Sequence, residues 1–282
     1  MFRSDLFKGK RILVTGGGTG LGKAMAGRFM ELGAELHICG RAGGVLKEAA
    51  AELATATGGT IHIHACDIRV AGAVDEMMAA IWQHGPLDGL VNNAAGNFIA
   101  KTEDLSPRGF DAIANIVLHG SFYVTHAVAK RWIAEKRGGS VISIVTTWVW
   151  TGSAFVVPSA MSKAGIAAMT QSLAVEWGPK GIRLNAIAPG PFPTEGMTKR
   201  LAPTEALERK MIGAIPMRRV GNLPELANLA AFLMSDEVGY VTGEVIAIDG
   251  GQWLNGAGGF GETVPVIKER GLSHPFIVCV TK

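Results

Sequence analysis

Lys163 follows Ser159 by four positions within SAMSKAG, a stretch of small residues that reads as the start of a helix. One helical turn brings two such side chains to the same face, so a hydroxyl and an ammonium group would lie side by side. This pairing suggests proton transfer. A serine hydroxyl is, however, a far weaker acid than a phenol, and the only two tyrosines, Tyr123 and Tyr240, lie far from Lys163 in the sequence. Ser159 is therefore better suited to hydrogen bonding than to acid–base chemistry.

A second segment with chemical meaning is the glycine-rich stretch TGGGTGLG at residues 15–22. It lies between a predicted buried strand, Arg11–Thr15, and a predicted helix, Gly20–Leu32. Glycine is needed where the backbone passes close to a pyrophosphate, and the N-terminus of the next helix offers amide donors and a positive dipole end. In this position between strand and helix, the segment predicts a dinucleotide-binding site.

Strand-like and helix-like segments alternate along most of the chain. Further strands are predicted at Glu35–Cys39, Thr60–Cys66, Gly89–Asn92, Ser140–Val145, Arg183–Ile187 and Glu244–Ile248, and further helices at Gly44–Thr57, Ala71–His84, Arg108–Glu135, Ser159–Trp177 and Pro224–Met234. Short apolar strands separated by helices of this length indicate an α/β fold, a single doubly wound Rossmann-type parallel sheet of about seven strands with helices on both faces. We predict one domain over residues 1–255 and a C-terminal extension, 256–282, of unclear role.

The composition excludes several classes of protein. Hydrophobic residues make up 48% of the chain and glycine is abundant, with 38 residues, which fits a globular protein rich in tight turns. A net charge of +3 from scattered basic residues does not indicate a nucleic-acid or membrane partner. No signal segment and no apolar run long enough to cross a bilayer is recognised, and the three cysteines form no ligand pattern. We therefore expect a cytoplasmic protein.

The end of the second predicted strand, LHICGR, bears on which dinucleotide is bound. A carboxylate at this position usually holds the adenosine ribose hydroxyls of NAD. Here Gly40 and Arg41 stand there instead, and a guanidinium suits the 2′-phosphate of NADP. We therefore expect NADP (NADPH) as cofactor. The alternative is that Arg41 is a solvated turn residue.

The spacing TGxxxGxG, with CDI at residues 66–68, NNAAG at 92–96 and PGP at 189–191, resembles the short-chain dehydrogenase/reductase family over roughly residues 8–253. The resemblance implies that Asp67 meets the adenine, that the segment around Asn93 lines the adenosine side, and that the PGP segment walls the nicotinamide. The implied cofactor-binding residues are Gly16, Gly18, Thr19, Gly20, Leu21, Gly22, Arg41, Asp67, Ile68, Asn93, Ala94, Lys163, Pro189, Gly190, Phe192 and Thr194.

The same resemblance assigns catalytic positions, and two of them are changed. Common members carry a Tyr four residues before the active-site Lys, a Ser or Thr thirteen residues before that Tyr, and an Asn in the long helix. The corresponding residues here are Ser159, Lys163, Thr146 and Val117. Because alcohol oxidation needs a phenol whose pKa a nearby ammonium lowers, we do not expect simple alcohol dehydrogenation.

A narrower resemblance, to the 2,4-dienoyl-CoA reductases, accounts for the change. It is carried by NNAAGNF at residues 92–98, TGSAFVVPSAMSKAG at 151–165 and PGPFPTEG at 189–196. It implies that hydride is added to the far end of a conjugated thioester and that the site stabilises the charge developing on the thioester oxygen. Asn97 is then a donor to that oxygen, Lys163 holds the nicotinamide ribose and favours the anion, and Ser159 hydrogen-bonds alongside.

Trp148 departs from this pattern, because the mitochondrial reductases carry a second Tyr at that position as proton source. An indole N–H donates a hydrogen bond but cannot deliver a proton. Either a water held by Lys163 and a polar neighbour protonates the α-carbon, or the substrate differs. Trp148 and Trp150 are equally consistent with simply walling an acyl pocket.

Four further positions match the reductases' CoA contacts, although each alone would more often be a surface residue. They are Arg69, Phe98, Ser106 and Arg200. The resemblance also implies a helical substrate flap near residues 194–216 and a homo-oligomer, dimer or tetramer, built on the long helix.

The alternation IHIH points His62 and His64 to one face of a strand. Two histidines at this spacing could hold a metal, but no third ligand lies nearby in the sequence. We therefore predict no metal and place these residues at an edge of the sheet or under a helix.

Three functions remain open. The first is NADPH-dependent reduction of an unsaturated acyl-CoA, of the 2,4-dienoyl-CoA reductase type. The second is reduction of a carbonyl or enoyl substrate without CoA. The third is a catalytically silent NADP-binding protein, which the missing Tyr and Asn permit, although the glycine loop, Asn97 and Lys163 argue against it.

Overall fold

The computed structural model describes residues 2–194 and 204–256. Within them, seven parallel strands form one sheet with the order β3-β2-β1-β4-β5-β6-β7. The strands are β1 (Arg11–Thr15), β2 (Glu35–Gly40), β3 (Ile61–Ala65), β4 (Gly89–Asn92), β5 (Gly139–Ile144), β6 (Ile182–Pro189) and β7 (Val245–Ile248). The helices are α1 (Gly20–Glu31), α2 (Gly43–Thr57), α3 (Ala71–His84), α4 (Pro107–Ala114), α5 (Gly120–Ala134), α6 (Trp148–Thr151), α7 (Val157–Trp177), α8 (Glu205–Gly213) and α9 (Leu223–Met234). The predicted α/β doubly wound sheet is confirmed.

The order of the strands reverses between β1 and β4. From β1 the chain moves outward to β2 and β3, then returns to place β4 on the other side of β1 and continues to β7. Leu13 of β1 thus has His37 of β2 on one side and Leu90 of β4 on the other. Loops that leave two such strands at their carboxyl ends diverge, so a crevice opens there, and ligands of open α/β sheets bind in it.

The core lies on both faces of the sheet, as a parallel sheet requires. Phe29 of α1 and Leu226 of α9 are fully buried on one face, and Met78 of α3 and Trp132 of α5 are fully buried on the other. Trp132 also donates its indole N–H to the carbonyl of Leu87 at 2.6 Å. Burial of each large apolar side chain contributes roughly 1.5–3 kcal/mol, so both helical layers hold the sheet rigid beneath the crevice.

The long helix predicted at Arg108–Glu135 is interrupted by a π-helical turn. Residues Asn115–His119 form this turn between α4 and α5. Gly120 follows this turn and lies close to the segment after β3, since a Cβ on Gly120 would lie 2.7 Å from the Ile68 side chain. A π-turn shifts the side chains that follow it around the helix axis, and such turns are frequent at functional sites.

One helical stretch, Pro107–Ala134, has the length and apolar composition of a membrane span. This match rests on length and composition only and does not show a membrane span, so it does not contradict the prediction that the chain has none. Within the described residues, 56% of the apolar 18-residue window of this helix is buried inside the protein, as in a core helix. The helix packs between α3 and α7.

Candidate active site

A cleft of about 630 Å³ opens at the carboxyl ends of the central strands. Most of the predicted site residues line it. They are Gly16, Thr19, Gly20, Leu21, Arg41, Asp67, Ile68, Asn93, Ala94, Thr146, Trp148, Lys163, Pro189, Gly190, Phe192 and Thr194. Gly18, Gly22, Arg69, Asn97, Phe98, Ser106 and Ser159 are described but do not line it, and Arg200 lies outside the described residues.

The glycine loop has the backbone shape that a dinucleotide needs. Gly16 and Gly20 adopt φ values of +64° and +52°, a region that side chains strain. A Cβ on Gly22 would lie 2.3 Å from the carbonyl oxygen of Gly16, so Gly22 allows α1 to pack tightly beneath the loop. Gly18 packs against Val45 and Leu46. The loop therefore leads closely into the N-terminus of α1, an arrangement that fits a pyrophosphate.

One buried hydroxyl joins the two loops of the crevice. The Oγ1 atom of Thr15, at the end of β1, donates to the carbonyl of Val91 at 3.2 Å. It also accepts hydrogen bonds from the backbone amides of Asn93 at 2.9 Å and Ala94 at 3.0 Å. The Asn93 side chain donates to the carbonyls of Thr15 and Gly16 at 3.0 and 3.2 Å. Sequence reasoning missed Thr15, whose signal is a hydroxyl closing an apolar strand.

Replacing Thr15 by valine should lower the free energy of unfolding by about 2–3 kcal/mol, because two buried amide donors lose their acceptor. Urea unfolding of the two proteins measures this difference. Thr55→Val on the exposed face of α2 is the matched control, and its change should stay within about 0.5 kcal/mol. Equal effects in the two variants would contradict the structural role of Thr15.

Two arginines near Asp67 differ in their contacts: Arg41 lines the cleft, whereas Arg69 does not. Arg69 binds Asp67 through Nε at 2.9 Å and Nη2 at 2.5 Å, and this hydrogen bonding lowers the pKa of the Asp67 carboxyl, which stays anionic. Arg41 is exposed at the cleft, and no hydrogen bond or ion pair involves it within residues 2–194 and 204–256. Arg41 therefore offers a cation to a ligand, while the charge of Arg69 is neutralised.

A second part of the cleft is built around Lys163 on α7. Its side chain is buried, with 5% exposed, and its ammonium donates to the carbonyl of Ile144 at the end of β5. Burial lowers the pKa of Lys163 to about 8. Thr146 accepts from the amide of Trp148 at 2.9 Å, which leaves its hydroxyl hydrogen for a ligand. This part therefore offers an ammonium, a hydroxyl and the indole of Trp148.

Ser159 lies one turn before Lys163 on the same helix, as predicted, but it is buried and does not line the cleft. Neither tyrosine takes its place. Tyr123 packs on α5 against the core under α3, and Tyr240 is fully exposed before β7. The cleft therefore contains no phenol.

The π-turn decides which residue of the long helix faces the cleft. Val117, which stands at the family's Asn position, is fully buried among core residues including Val145. Its neighbour Ile116 lines the cleft instead. Sequence reasoning missed Ile116, because the register of a helix past a π-turn is not readable from the residue pattern.

The loop that follows β4 carries three predicted residues toward α4. Asn97 is half-buried. Ser106 caps α4 by accepting from the amide of Gly109 at 3.1 Å, and a Cβ on Gly109 would lie 3.6 Å from the ring of Phe98. The structure thus brings Phe98 and Ser106 together at the start of α4, outside the cleft.

Comparison with known proteins agrees with this geometry. Residues 16–252 match the family model described as enoyl-(acyl carrier protein) reductase. A probable 2,4-dienoyl-CoA reductase of the (2E)-enoyl-CoA-producing type from Bacillus subtilis is 43% identical over 87% of this chain and 97% of its own length. A probable (3E)-enoyl-CoA-producing 2,4-dienoyl-CoA reductase from Caenorhabditis elegans is 44% identical over 89% and 83% of the two chains.

A solved structure from Agrobacterium tumefaciens superposes with a TM-score of 0.82, at 31% identity, and covers 89% of this chain and 100% of its own. It is described as a putative 2-deoxy-D-gluconate 3-dehydrogenase with bound NADP. The fold, the glycine loop and these relatives together show a site for a nicotinamide cofactor and a small-molecule substrate. The chain therefore belongs to the short-chain dehydrogenase/reductase family of oxidoreductases.

Proposed function

We propose that this protein reduces 2,4-dienoyl-CoA thioesters with NADPH. The observation that carries the proposal is that the buried Lys163 ammonium and the Thr146 hydroxyl line one cleft that contains no phenol. Such a site is poorly equipped to exchange a proton with an alcohol, but it can stabilise a developing oxyanion. The two relatives named as 2,4-dienoyl-CoA reductases support the same substrate class.

The cleft offers residues suited to the pyrophosphate, the 2′-phosphate, the adenine, the nicotinamide and the nicotinamide ribose of NADPH. The glycine loop and the start of α1 hold the pyrophosphate, Arg41 pairs with the 2′-phosphate, and Asp67 meets the adenine. Gly190 and Phe192 wall the nicotinamide, and Lys163 holds its ribose. When bound, the cofactor supplies a hydride.

The chain's own groups then stabilise the charge that hydride addition places on the thioester oxygen. Lys163 contributes a cation in surroundings from which water is largely excluded, where electrostatic stabilisation is stronger than in bulk water. Thr146 donates a hydrogen bond, whereas Asn97 and Ser159, which were predicted as further donors, do not line the cleft. The dienolate is protonated on carbon by a water held at Lys163, since Trp148 cannot release a proton. The hydroxide that remains takes a proton from the Lys163 ammonium, which regains one from solvent.

The CoA portion is proposed to bind outside the cleft near α4. Phe98 and Ser106 lie together there. Arg200 stays a predicted CoA contact and lies outside the described residues. Arg69 contributes less than predicted, because Asp67 already neutralises its guanidinium. That pairing favours one alternative, an enoyl thioester that carries no CoA.

Steady-state NADPH oxidation with a medium-chain 2,4-dienoyl-CoA tests the proposal. We expect kcat on the order of 10 s⁻¹, with no turnover of free ketones. The matching pantetheine thioester should show a kcat/KM at least about 10-fold lower, because contacts to the CoA phosphates are lost. Equal rates with both thioesters would select the alternative, and product analysis distinguishes the 2E from the 3E double bond. Reduction of ketones but not of the dienoyl-CoA would overturn the proposal.

We also propose that the protein self-associates through α4 and α5, where Phe122 is 45% exposed and stacks on His126. Cytoplasmic localisation stays a prediction, as does the flap near residues 194–216, of which α8 is the helical part within the described residues.

A further inference from the structure

Four of the seven histidines gather at the end of the sheet opposite the cleft. His37 on β2 pairs in register with His62 on β3, so the two rings lie on one face of the sheet and stack 4.7 Å apart. His64 lies on the same face of β3, with its ring 5.2 Å from that of His37. His84, the last residue of α3, closes over the group with its ring 4.2 Å from that of His62.

Glu35, the first residue of β2, completes a set of three donors. Its Oε1 atom lies 3.1 Å from Nε2 of His62 and 3.9 Å from Nε2 of His37, and the three donor atoms all fall within 4.8 Å of one another. In a tetrahedral site with bonds of about 2.0–2.2 Å, donor atoms lie roughly 3.3–3.6 Å apart. The three donors therefore surround a point that an ion could occupy after only small side-chain movements.

His37 has a nitrogen that nothing in the described chain satisfies. Its side chain is fully buried, and Nε2 has no hydrogen-bond partner among the described residues. Nδ1 lies 3.0 Å from Nε2 of His64, so a proton on Nδ1 can be donated to His64. In that tautomer Nε2 of His37 directs a lone pair at Glu35 and His62. Leaving a buried polar atom unpaired costs free energy, whereas binding an ion there would satisfy it.

Hydrogen bonds from neighbouring groups orient the metal-binding atoms of Glu35 and His37, as the residues around metal ligands do. Nε of Arg11 donates to Oε2 of Glu35 at 3.2 Å, which fixes the carboxylate and leaves Oε1 for the ion. His64 fixes the ring of His37 in the same way. Glu35 and His62 are each about one quarter exposed, so an ion can enter from solvent.

We propose that Glu35, His37 and His62 bind one divalent transition-metal ion of the zinc class, with a water as fourth ligand. Two imidazoles and one carboxylate suit zinc, cobalt and nickel better than magnesium or calcium. The ion would join β2 to the edge strand β3 beneath α3. None of the three proposed ligands lines the cleft, so the inference does not rest on the proposed function.

Titration of the metal-stripped full chain, carrying no histidine tag, with Zn²⁺ and with Co²⁺ tests this proposal. We expect one ion per chain, a rise in Tm with Zn²⁺, and visible Co²⁺ absorption without thiolate charge-transfer bands. Because His37 is fully buried and its variants could fail to fold, the test uses the partly exposed ligands. His62→Gln and Glu35→Gln should each raise the Kd for Zn²⁺ about 100-fold or more.

His126→Gln, at an exposed histidine on α5, is the matched control and should bind Zn²⁺ with unchanged affinity. If Glu35→Gln does not fold, His62→Gln alone decides. Absence of saturable binding at one ion per chain would overturn the proposal. So would an unchanged Kd in the folded variants, or a Co²⁺ spectrum with thiolate bands, which would place the ion on cysteine.

Discussion

Lys163→Met is expected to lower kcat for dienoyl-CoA reduction about 10³-fold, because the cation that stabilises the thioester oxyanion is removed from a buried site. Methionine has nearly the same length, so the packing of α7 is kept. Because a buried amine whose recorded partner is one carbonyl is itself costly, the free energy of unfolding should stay equal or rise. Steady-state kinetics and urea unfolding measure the two effects.

The pH dependence of kcat/KM is a second measurement of the role of Lys163. Burial lowers the pKa of Lys163 to about 8, so its ammonium is present below that pH and is lost above it. For the unmodified protein kcat/KM should therefore fall as the pH rises through about 8, and this fall should be absent in the residual activity of Lys163→Met. Lys180→Met, at an exposed position after α7, is the control and should retain full activity. A loss below 10-fold in Lys163→Met would contradict oxyanion stabilisation by this residue.

Arg41→Asp is expected to exchange the cofactor preference from NADPH to NADH. The substitution removes a charge-assisted contact worth about 1.5–3 kcal/mol and adds a carboxylate that repels the 2′-phosphate, so KM for NADPH should rise about 100-fold or more. The new carboxylate can also accept hydrogen bonds from the ribose hydroxyls of NADH, for which KM should fall. Steady-state kinetics with each cofactor measures both changes.

Two controls separate this effect from a general loss of charge. Arg41→Ala should weaken NADPH about 10- to 100-fold without improving NADH, since it removes the cation and adds no acceptor. Lys130→Asp makes the same change of charge on the exposed face of α5 and should leave both KM values unaltered. If KM for NADPH stays within about threefold in Arg41→Asp, Arg41 is a solvated turn residue.

The sheet could be predicted because each strand is a short apolar run bounded by turn residues. β4 and α3 begin and end where they were expected, and β1 does as well. The break in the long helix could not be predicted, because an α-helix and a π-turn accept the same residue types. The break adjoins Gly120, which lies close to Ile68, and this contact forms only in the folded structure.

In the candidate site too, some features follow from residues that are neighbours in the sequence, and others depend on contacts between distant residues. The glycine loop, Arg41 and Lys163 were identified because their positions relative to strands and helices carry the chemistry. The pairing of Arg69 with Asp67 is local, two residues apart, and was overlooked. His37 and His84, the third and fourth members of the histidine cluster, could not be predicted. The β2–β3 register that places His37 beside His62 has no local signature in the sequence.

The hydrogen bonds of Thr15 have a consequence for how the protein is made. They span 76 to 79 positions of the chain, and they join the start of the glycine loop to the segment after β4. During synthesis the first three strands are made before Asn93 and Ala94, the residues that bind the Thr15 hydroxyl. A nascent chain shorter than about one hundred residues therefore lacks a finished nucleotide cradle, and retention on an immobilised dinucleotide should begin only once β4 has docked beside β1.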